Sequence, residues 1–116
     1  MELEKIDIPY VQVPGGGIFA YINGDSTGKT VLLRSDIDAL PILESETNLK
    51  NKKICISKNP GVMHGCGHDG HIAMLLTAAK ILKNMEASLN GRVVLIFEEG
   101  EEGHRNIEKL LAYMAE

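Results

Sequence analysis

A segment of twelve residues concentrates side chains that can bind a metal ion. Residues 60–71 read Pro-Gly-Val-Met-His-Gly-Cys-Gly-His-Asp-Gly-His and carry one thiol, three imidazoles and one carboxylate. Thiolate and imidazole groups are ligands for borderline-soft metals such as zinc. The intervening glycines let the backbone bend, so Cys66 and His68 can point to one place. The alternative is that Cys66 is a small buried apolar residue without a ligand role.

A second group of candidate residues follows an apolar strand predicted at residues 30–34. Asp36 and Asp38 are two positions apart, so in extended backbone they lie on the same face. Ligands of open α/β sheets collect at the carboxyl ends of strands, where these two residues lie. The carboxylates are therefore predicted either to reach the metal site or to orient a ligand, with a solvated strand end as the alternative.

A third group follows the clearest strand of the chain, which is predicted at residues 92–97. The segment 98–103 contains four glutamates and two glycines. Like charges that lie close together repel, and a bound dication removes this repulsion, whereas a solvated loop is the alternative. In such a loop, one of Glu101 and Glu102 could bind a metal while the other acts on water as a general base.

The elements that must position these groups alternate between strands and helices. Further predictions are a strand at 18–22, a short strand at 53–56, a helix over 72–83 with Asp69 as its N-cap, and a helix over 104–116. The strand at 30–34 is apolar at successive positions and is predicted to be buried on both faces. This order predicts an α/β domain with a mostly parallel sheet. His71 is interpreted as a solvated or capping residue of the first helical turn.

Composition excludes several classes of function. The 116 residues fit one domain, with a net charge of −4, 4% aromatic residues and no basic stripe, so nucleic-acid binding is not expected. No apolar run approaches the length needed to span a membrane, and the first residues lack the apolar stretch of a signal peptide. Two cysteines in such a chain favour a cytoplasmic location.

Three segments together resemble the metal-dependent M20 amidohydrolases, in the branch that includes hippurate hydrolases, aminoacylases and auxin-conjugate hydrolases. They are residues 32–41, residues 60–71, and residues 95–97 followed by Glu101 and Glu102. The resemblance spans roughly residues 10–103. It implies a three-layer α/β/α sandwich that carries two divalent metals, and hydrolysis of the amide bond of N-acyl amino acids or small peptide-like conjugates.

The resemblance also implies a role for individual residues. By position, Cys66, His68 and Glu102 match metal ligands, with the Cys66 thiolate as a candidate bridge. Glu101 matches the general base that activates water, and Asp38 matches the carboxylate that supports the metal centre. Zinc, manganese, cobalt and nickel all accept this mixture of ligands.

This sequence also differs from the family pattern, and the differences lead to further predictions about its metal content and activity. Family members are longer, with further histidine ligands downstream and a second domain for dimerisation and substrate binding. Residues 1–116 are therefore predicted to be a partial catalytic domain that holds at most one ion and is inactive alone. The alternative is a non-enzymatic α/β module that binds a metal or self-associates through apolar surface exposed by truncation. A Cys66 nucleophile paired with His64 or His68 is disfavoured, because residues two apart rarely reach that geometry.

Overall fold

The structure, a computed structural model, describes residues 1–23, 27–103 and 107–115. The helices are α1 (Glu2–Lys5), α2 (His68–Asn84) and α3 (Ile107–Ala115), with a short 3-10 turn at Glu86–Ser88. The strands are β1 (Tyr10–Val13), β2 (Gly17–Asn23), β3 (Lys29–Asp36), β4 (Thr47–Asn48), β5 (Asn51–Lys52) and β6 (Gly91–Glu98). The start predicted for the last helix at His104 lies outside the described residues. None of the described helices has the length and apolar character needed to cross a bilayer.

The main sheet has the strand order β1-β2-β6-β3. The α/β class is confirmed, and the predicted parallel pairing is found between β3 and β6. The β1–β2 and β2–β6 pairs are antiparallel. The reason for the first is the short turn after Val13, in which Gly16 N donates to Val13 O over 2.9 Å. Strands joined by so short a connection must run in opposite directions.

The two faces of β6 are covered by different helices. Successive side chains of a strand point to opposite faces, so the residues of this apolar strand divide into two sets. Val93, Leu95 and Phe97 are buried in one cluster with Leu75 and Ala79 of α2. Val94 and Ile96 are buried in another cluster with Val13 and with Leu110 of α3. The predicted three-layer α/β/α arrangement is confirmed, with β6 at its centre.

Strand β3 differs from the prediction that both of its faces are buried. Val31 is 53% exposed and Leu32 is 45% exposed, whereas Ser35 and Asp36 at the carboxyl end are buried. The reason is that β3 has β6 as a neighbour on one side only, among the residues that the structure describes. Self-association of the chain through this apolar edge remains a prediction.

The segment between β3 and α2 also differs from its prediction. The strand expected at 53–56 is absent there, and the short hairpin of β4 and β5 precedes it instead. Ile54 is fully exposed, because the alternation of apolar and polar residues at 53–56 meets no partner surface in the described structure. The pattern of apolar residues predicted a strand, but a strand also needs a partner to pair with.

Candidate metal centre

The candidate site lies at the carboxyl ends of the parallel strands β3 and β6. Their register places Asp36 opposite Glu98. Beyond that pair, Ile37 N donates to Glu98 O over 2.9 Å. The residues that follow the two strands therefore leave the sheet side by side. The structure thus brings the aspartate cluster and the glutamate cluster to one edge.

The Cys-His segment is tied to the same edge by an isolated bridge between Leu40 and Met63. Leu40 N donates to Met63 O over 2.8 Å, and Met63 N donates to Leu40 O over 3.0 Å. This pair of hydrogen bonds fixes residues shortly after Asp38 against residues shortly before Cys66. The bridge thereby closes the 22 residues from 41 to 62 into a loop, and the candidate ligands Cys66 and His68 follow this loop.

The start of α2 sets the position of His68. Gly67 is the N-cap residue with φ +97°, a left-handed conformation that favours glycine. The helix therefore begins at His68, and Asp69 lies in the first turn instead of serving as the predicted N-cap. Because the chain turns at Gly67, the His68 ring enters the site and is only 4% exposed.

The hydrogen bonds of His68 determine which ring nitrogen is free. Nδ1 lies 3.0 Å from the Asp38 carbonyl oxygen and 3.1 Å from Asp38 Oδ1. Both partners are acceptors, so Nδ1 carries the proton and the neutral ring keeps a lone pair on Nε2. Within the described residues Nε2 makes no hydrogen bond. Histidines that bind a metal through one ring nitrogen usually donate the N–H of the other ring nitrogen to a carboxylate or a carbonyl.

The charges around His68 favour a cation. Burial lowers the pKa of His68, but the Asp38 carbonyl and the carboxylates of Asp36 and Asp38 outweigh burial and raise it. Burial likewise raises the pKa of Asp38, but the backbone N–H of Glu102 and the His68 ring outweigh burial and lower it. The Glu102 N–H donates to Asp38 Oδ2 over 2.9 Å. One carboxylate therefore holds both the histidine and the acidic loop.

The three predicted metal ligands come together in the structure. Cys66, His68 and Glu102 each offer one donor atom, and these atoms lie within 4.8 Å of one another. Glu102 Oε1 is 3.8 Å from His68 Nε2. A thiol, a carboxylate and an imidazole whose Nε2 accepts no hydrogen bond from a described residue form a donor set that fits a divalent ion. The hydrogen bond to Glu102 raises the pKa of the Cys66 thiol, which disfavours a free thiolate nucleophile.

The predicted general base lies beside this donor set. Glu101 is exposed in the turn after β6. One of its carboxylate oxygens lies within 4.8 Å of donor atoms of Asp36 and His68. The two adjacent glutamates therefore contact different neighbours around the same histidine.

Two residues near the site were not predicted from the sequence to contact its carboxylates. The first is His71, whose Nδ1 lies 2.7 Å from Asp36 Oδ1 and whose ring stacks on His68 at a centroid distance of 5.8 Å. His71 is half-exposed, which agrees with the interpretation as a solvated residue, but it does not cap the helix, and its ring is hydrogen-bonded to the buried Asp36. The helical spacing of His68 and His71 was a signal, since residues three apart lie on one side of a helix.

The second is Arg34, which lies between two carboxylates. Its Nε donates to the carboxylate of Glu98, which is 3% exposed, and its Nη1 lies 3.6 Å from Asp36 Oδ2. Burial raises the pKa of Asp36, but His71, His68 and Arg34 together outweigh burial and lower it. Part of the predicted repulsion in the acidic cluster is therefore relieved by an arginine on the neighbouring strand.

The loop that leads to the metal ligands is held by Glu44. Its Oε1 accepts a hydrogen bond from Lys53 Nζ over 2.9 Å and its Oε2 accepts from Ser57 N over 2.6 Å. These two contacts lower the pKa of Glu44 below 4.5. A carboxyl with a lowered pKa in the folded state contributes stability above its unfolded pKa and loses it as the pH falls through the folded pKa. We therefore expect Glu44→Gln to destabilise the protein at neutral pH and to have a smaller effect in acid.

Denaturant unfolding of both proteins at neutral pH and below pH 4 measures this difference. Glu46→Gln is the matched control, since the exposed Glu46 side chain forms no hydrogen bond or ion pair within residues 1–23, 27–103 and 107–115. Equal losses of unfolding free energy for Glu44→Gln at both pH values would contradict the assignment of the pH dependence to this carboxyl.

Comparison with known proteins agrees with the geometry. Residues 32–116 match the family described as peptidase family M20/M25/M40. An N-acetyl-L-cysteine deacetylase of Bacillus subtilis is 46% identical over 95 residues, which are 82% of this chain and 22% of that protein. The IAA-amino acid hydrolase ILR1-like 5 of Arabidopsis thaliana is 42% identical over 95% of this chain and 24% of its own length.

A solved structure has the same fold. The Bacillus subtilis YXEP protein, described as a dinuclear metal-binding peptidase of the M20 family, superposes with a TM-score of 0.72 at 38% identity. The superposition covers 95% of this chain and 31% of that one. This chain thus spans about a quarter of the length of the curated relatives named above. The family match over residues 32–116 and these relatives show that the chain belongs to peptidase family M20/M25/M40.

Proposed function

We propose that this chain supplies the metal-binding and proton-transfer residues of a hydrolase that cleaves the amide bond of N-acyl amino acids or small peptide-like conjugates. The names of the relatives support the substrate class, since they include a deacetylase of an N-acetylated amino acid and a hydrolase of amino-acid conjugates. The observation that carries the proposal is the His68 ring. It is buried, fixed at Nδ1 by Asp38 and free at Nε2, with thiol and carboxylate donors nearby.

The proposed ligands are Cys66, His68 and Glu102, and the chain by itself is proposed to hold one divalent ion of zinc, manganese, cobalt or nickel. When bound, such an ion polarises a substrate carbonyl and lowers the pKa of water. Asp38 keeps the proton on His68 Nδ1 and holds Glu102 in place through its backbone N–H. Glu101, whose carboxylate is exposed beside this set, is proposed to accept the proton of the attacking water and to deliver it to the leaving amine nitrogen.

The proposal includes the cellular location of the protein. Cys55 and Cys66 are unpaired and exposed. Free exposed thiols persist in a reducing compartment, so we propose a cytoplasmic location.

Metal content of the purified chain tests the proposal. After incubation with zinc and removal of the excess, we expect close to one ion per chain, and we expect Cys66→Ser to lose it because the thiolate ligand is gone. Cys55→Ser is the matched control, since Cys55 is also exposed and is not among the side chains that lie close enough to His68 to share a metal ion with it. Retention of the full metal content by Cys66→Ser would refute the ligand assignment.

A second measurement separates the enzyme from the non-enzymatic alternative. Amino-acid release from N-acetylated amino acids is assayed with the metal-loaded chain and with a longer protein that contains it. We expect a chelator to stop this release, and we expect Glu101→Gln to reduce it while the metal content of the protein stays the same. Stoichiometric metal without release in both proteins would favour a metal-binding module.

A further inference from the structure

Strand β3 leaves one side of its backbone unpaired, because it is the last strand of the main sheet among the described residues. Successive residues of a strand direct their N–H and C=O groups to opposite sides. Just beyond β3, Ile37 N donates to Glu98 O of β6, so the odd-numbered residues of β3 pair with β6. The outward groups are those of Thr30, Leu32 and Arg34, which have no backbone partner in the described structure.

The free edge of β3 lacks the features that usually keep edge strands from pairing with another chain. Short length, charged side chains and proline are the common protections. The other edge strand, β1, has only four residues and follows Pro9. Strand β3 has eight residues, and the run from Thr30 to Leu33 carries no charge. Arg34, which follows this run, donates to Glu98 within the same sheet.

Exposed apolar side chains extend this edge on both faces of the sheet. Leu32 is half-exposed and pairs with Val94, which is buried on the face covered by α3. Val31 is half-exposed on the opposite face, which is covered by α2. On that face the exposed Met74 of α2 lines a groove together with Leu33. A strand added at this edge would therefore bury apolar surface on both of its sides.

We propose that two copies of this chain pair through their β3 edges in an antiparallel arrangement, so that their main sheets form one continuous sheet. A two-fold axis perpendicular to the sheet relates the copies, as in most homodimers, and the contact closes on itself. This surface contains none of the candidate metal ligands Cys66, His68 and Glu102. The inference therefore goes beyond the proposed function and does not depend on it.

Backbone geometry and side-chain chemistry together select one register. Residues that exchange hydrogen bonds must both have outward groups, so even-numbered residues lie opposite even-numbered residues. An axis at Leu32 places this residue opposite its own copy, and places Val31 opposite Leu33 of the second copy. The two apolar runs then contact each other over their whole length. An axis at Arg34 would oppose two arginines, and like charges directly opposite each other destabilise a strand pair.

The charges at the two ends of β3 also favour the antiparallel arrangement. The strand begins at the exposed Lys29 and ends at Asp36, which lies beside Glu98 at the end of β6. In the register centred on Leu32, Lys29 lies opposite Ser35 of the second copy, next to the acidic end of that copy. A parallel arrangement would instead bring the two acidic ends together, where like charges repel.

Sedimentation velocity of the metal-free chain over a range of concentrations tests the pairing. We expect a monomer–dimer equilibrium in the micromolar range, because the contact is small compared with a standard interface. Leu32→Lys should abolish the dimer, since two ammonium groups would then lie opposite each other at its centre. A wild-type chain that stays monomeric up to about 200 μM would overturn the inference.

Leu49→Lys is the matched control, because it replaces the same side chain by the same charge at another exposed position. Leu49 is almost fully exposed between β4 and β5, away from the main sheet. We expect this variant to dimerise as the wild-type chain does, and circular dichroism checks that both variants are folded. If Leu49→Lys abolishes the dimer as fully as Leu32→Lys, the added charge and not the β3 edge is responsible, and the inference is wrong.

Disulfide trapping tests the register without adding a charge. In a background of Cys55→Ser and Cys66→Ser, Leu32→Cys places two thiols directly opposite each other, with Cα atoms about 5.5 Å apart, a distance that a disulfide spans. Val31→Cys places its two thiols on a diagonal, with Cα atoms about 7–8 Å apart, which a disulfide does not span. With oxidised glutathione we expect a covalent dimer for Leu32→Cys and much less for Val31→Cys. Equal trapping of the two variants would contradict the pairing proposed here.

Discussion

Replacing Asp38 by alanine should weaken zinc binding about 10- to 100-fold, the usual effect of removing a carboxylate behind a histidine ligand. The variant loses two contacts: the one between Oδ1 and His68 Nδ1, and the one between Oδ2 and the Glu102 N–H. The Asp38 carbonyl still lies 3.0 Å from Nδ1, so the ring keeps one acceptor and binding is weakened without being abolished. Competition titration with a chromogenic chelator measures the affinity.

Asp69→Asn is the matched control for this variant. Asp69 lies in the first turn of α2 next to His68 and is exposed, but it is not among the side chains that could share a metal ion with His68. We expect its replacement to change zinc affinity by less than about threefold, because water and salt screen the charge of an exposed side chain. If the two aspartate variants weaken zinc binding equally, Asp38 acts only through its charge, and the positioning argument fails.

The second large effect is expected for Gly17→Ala at the start of β2. Gly17 pairs with Glu98 and has φ +115°, and a Cβ there would lie 2.0 Å from the Phe97 carbonyl oxygen. The variant must displace the end of β6, in addition to the strain of an alanine in the left-handed region. We expect a loss of about 3 kcal/mol or more in the free energy of unfolding, which urea denaturation measures.

Gly61→Ala separates the steric clash from the backbone strain. Gly61 has φ +81°, but no described atom lies within 4 Å of the position that its Cβ would occupy. Strain alone should therefore remove about 1–2 kcal/mol from the free energy of unfolding. A loss for Gly17→Ala no larger than that for Gly61→Ala would show that β6 accommodates the added methyl group.

Local patterns were sufficient for the central element and for the chemical types of the candidate ligands. The apolar run at 92–97 predicted β6, because a strand covered on both faces needs apolar side chains at every position. The structure confirms this, since residues 93 to 97 are all buried beneath two helices. The candidate ligands could likewise be named from the sequence, because thiol, imidazole and carboxylate groups are the donors available for such a metal.

The pairing of segments that are far apart in the chain could not be predicted from local sequence patterns. Strand β3 has successive apolar residues at 31–33, as β6 has at 93–97, but β3 lies at the edge of the described sheet, and only the strand order shows this. The ion pair of Arg34 with Glu98 depends on the parallel register of two strands about sixty residues apart. Neither strand by itself contains the information that fixes its neighbour.

The sequence by itself determined the alternation of strands and helices, the central strand and the chemical types of the candidate metal ligands, because side-chain periodicity and donor chemistry are local properties. Only the tertiary structure decided which atoms face the metal site. The Leu40–Met63 bridge and the left-handed turn at Gly67 bring Asp38 behind His68, and the fixed Nδ1 proton leaves Nε2 free. The two groups of donors around His68, one with Cys66 and Glu102 and the other with Asp36 and Glu101, likewise depend on distances between segments that are far apart in the chain.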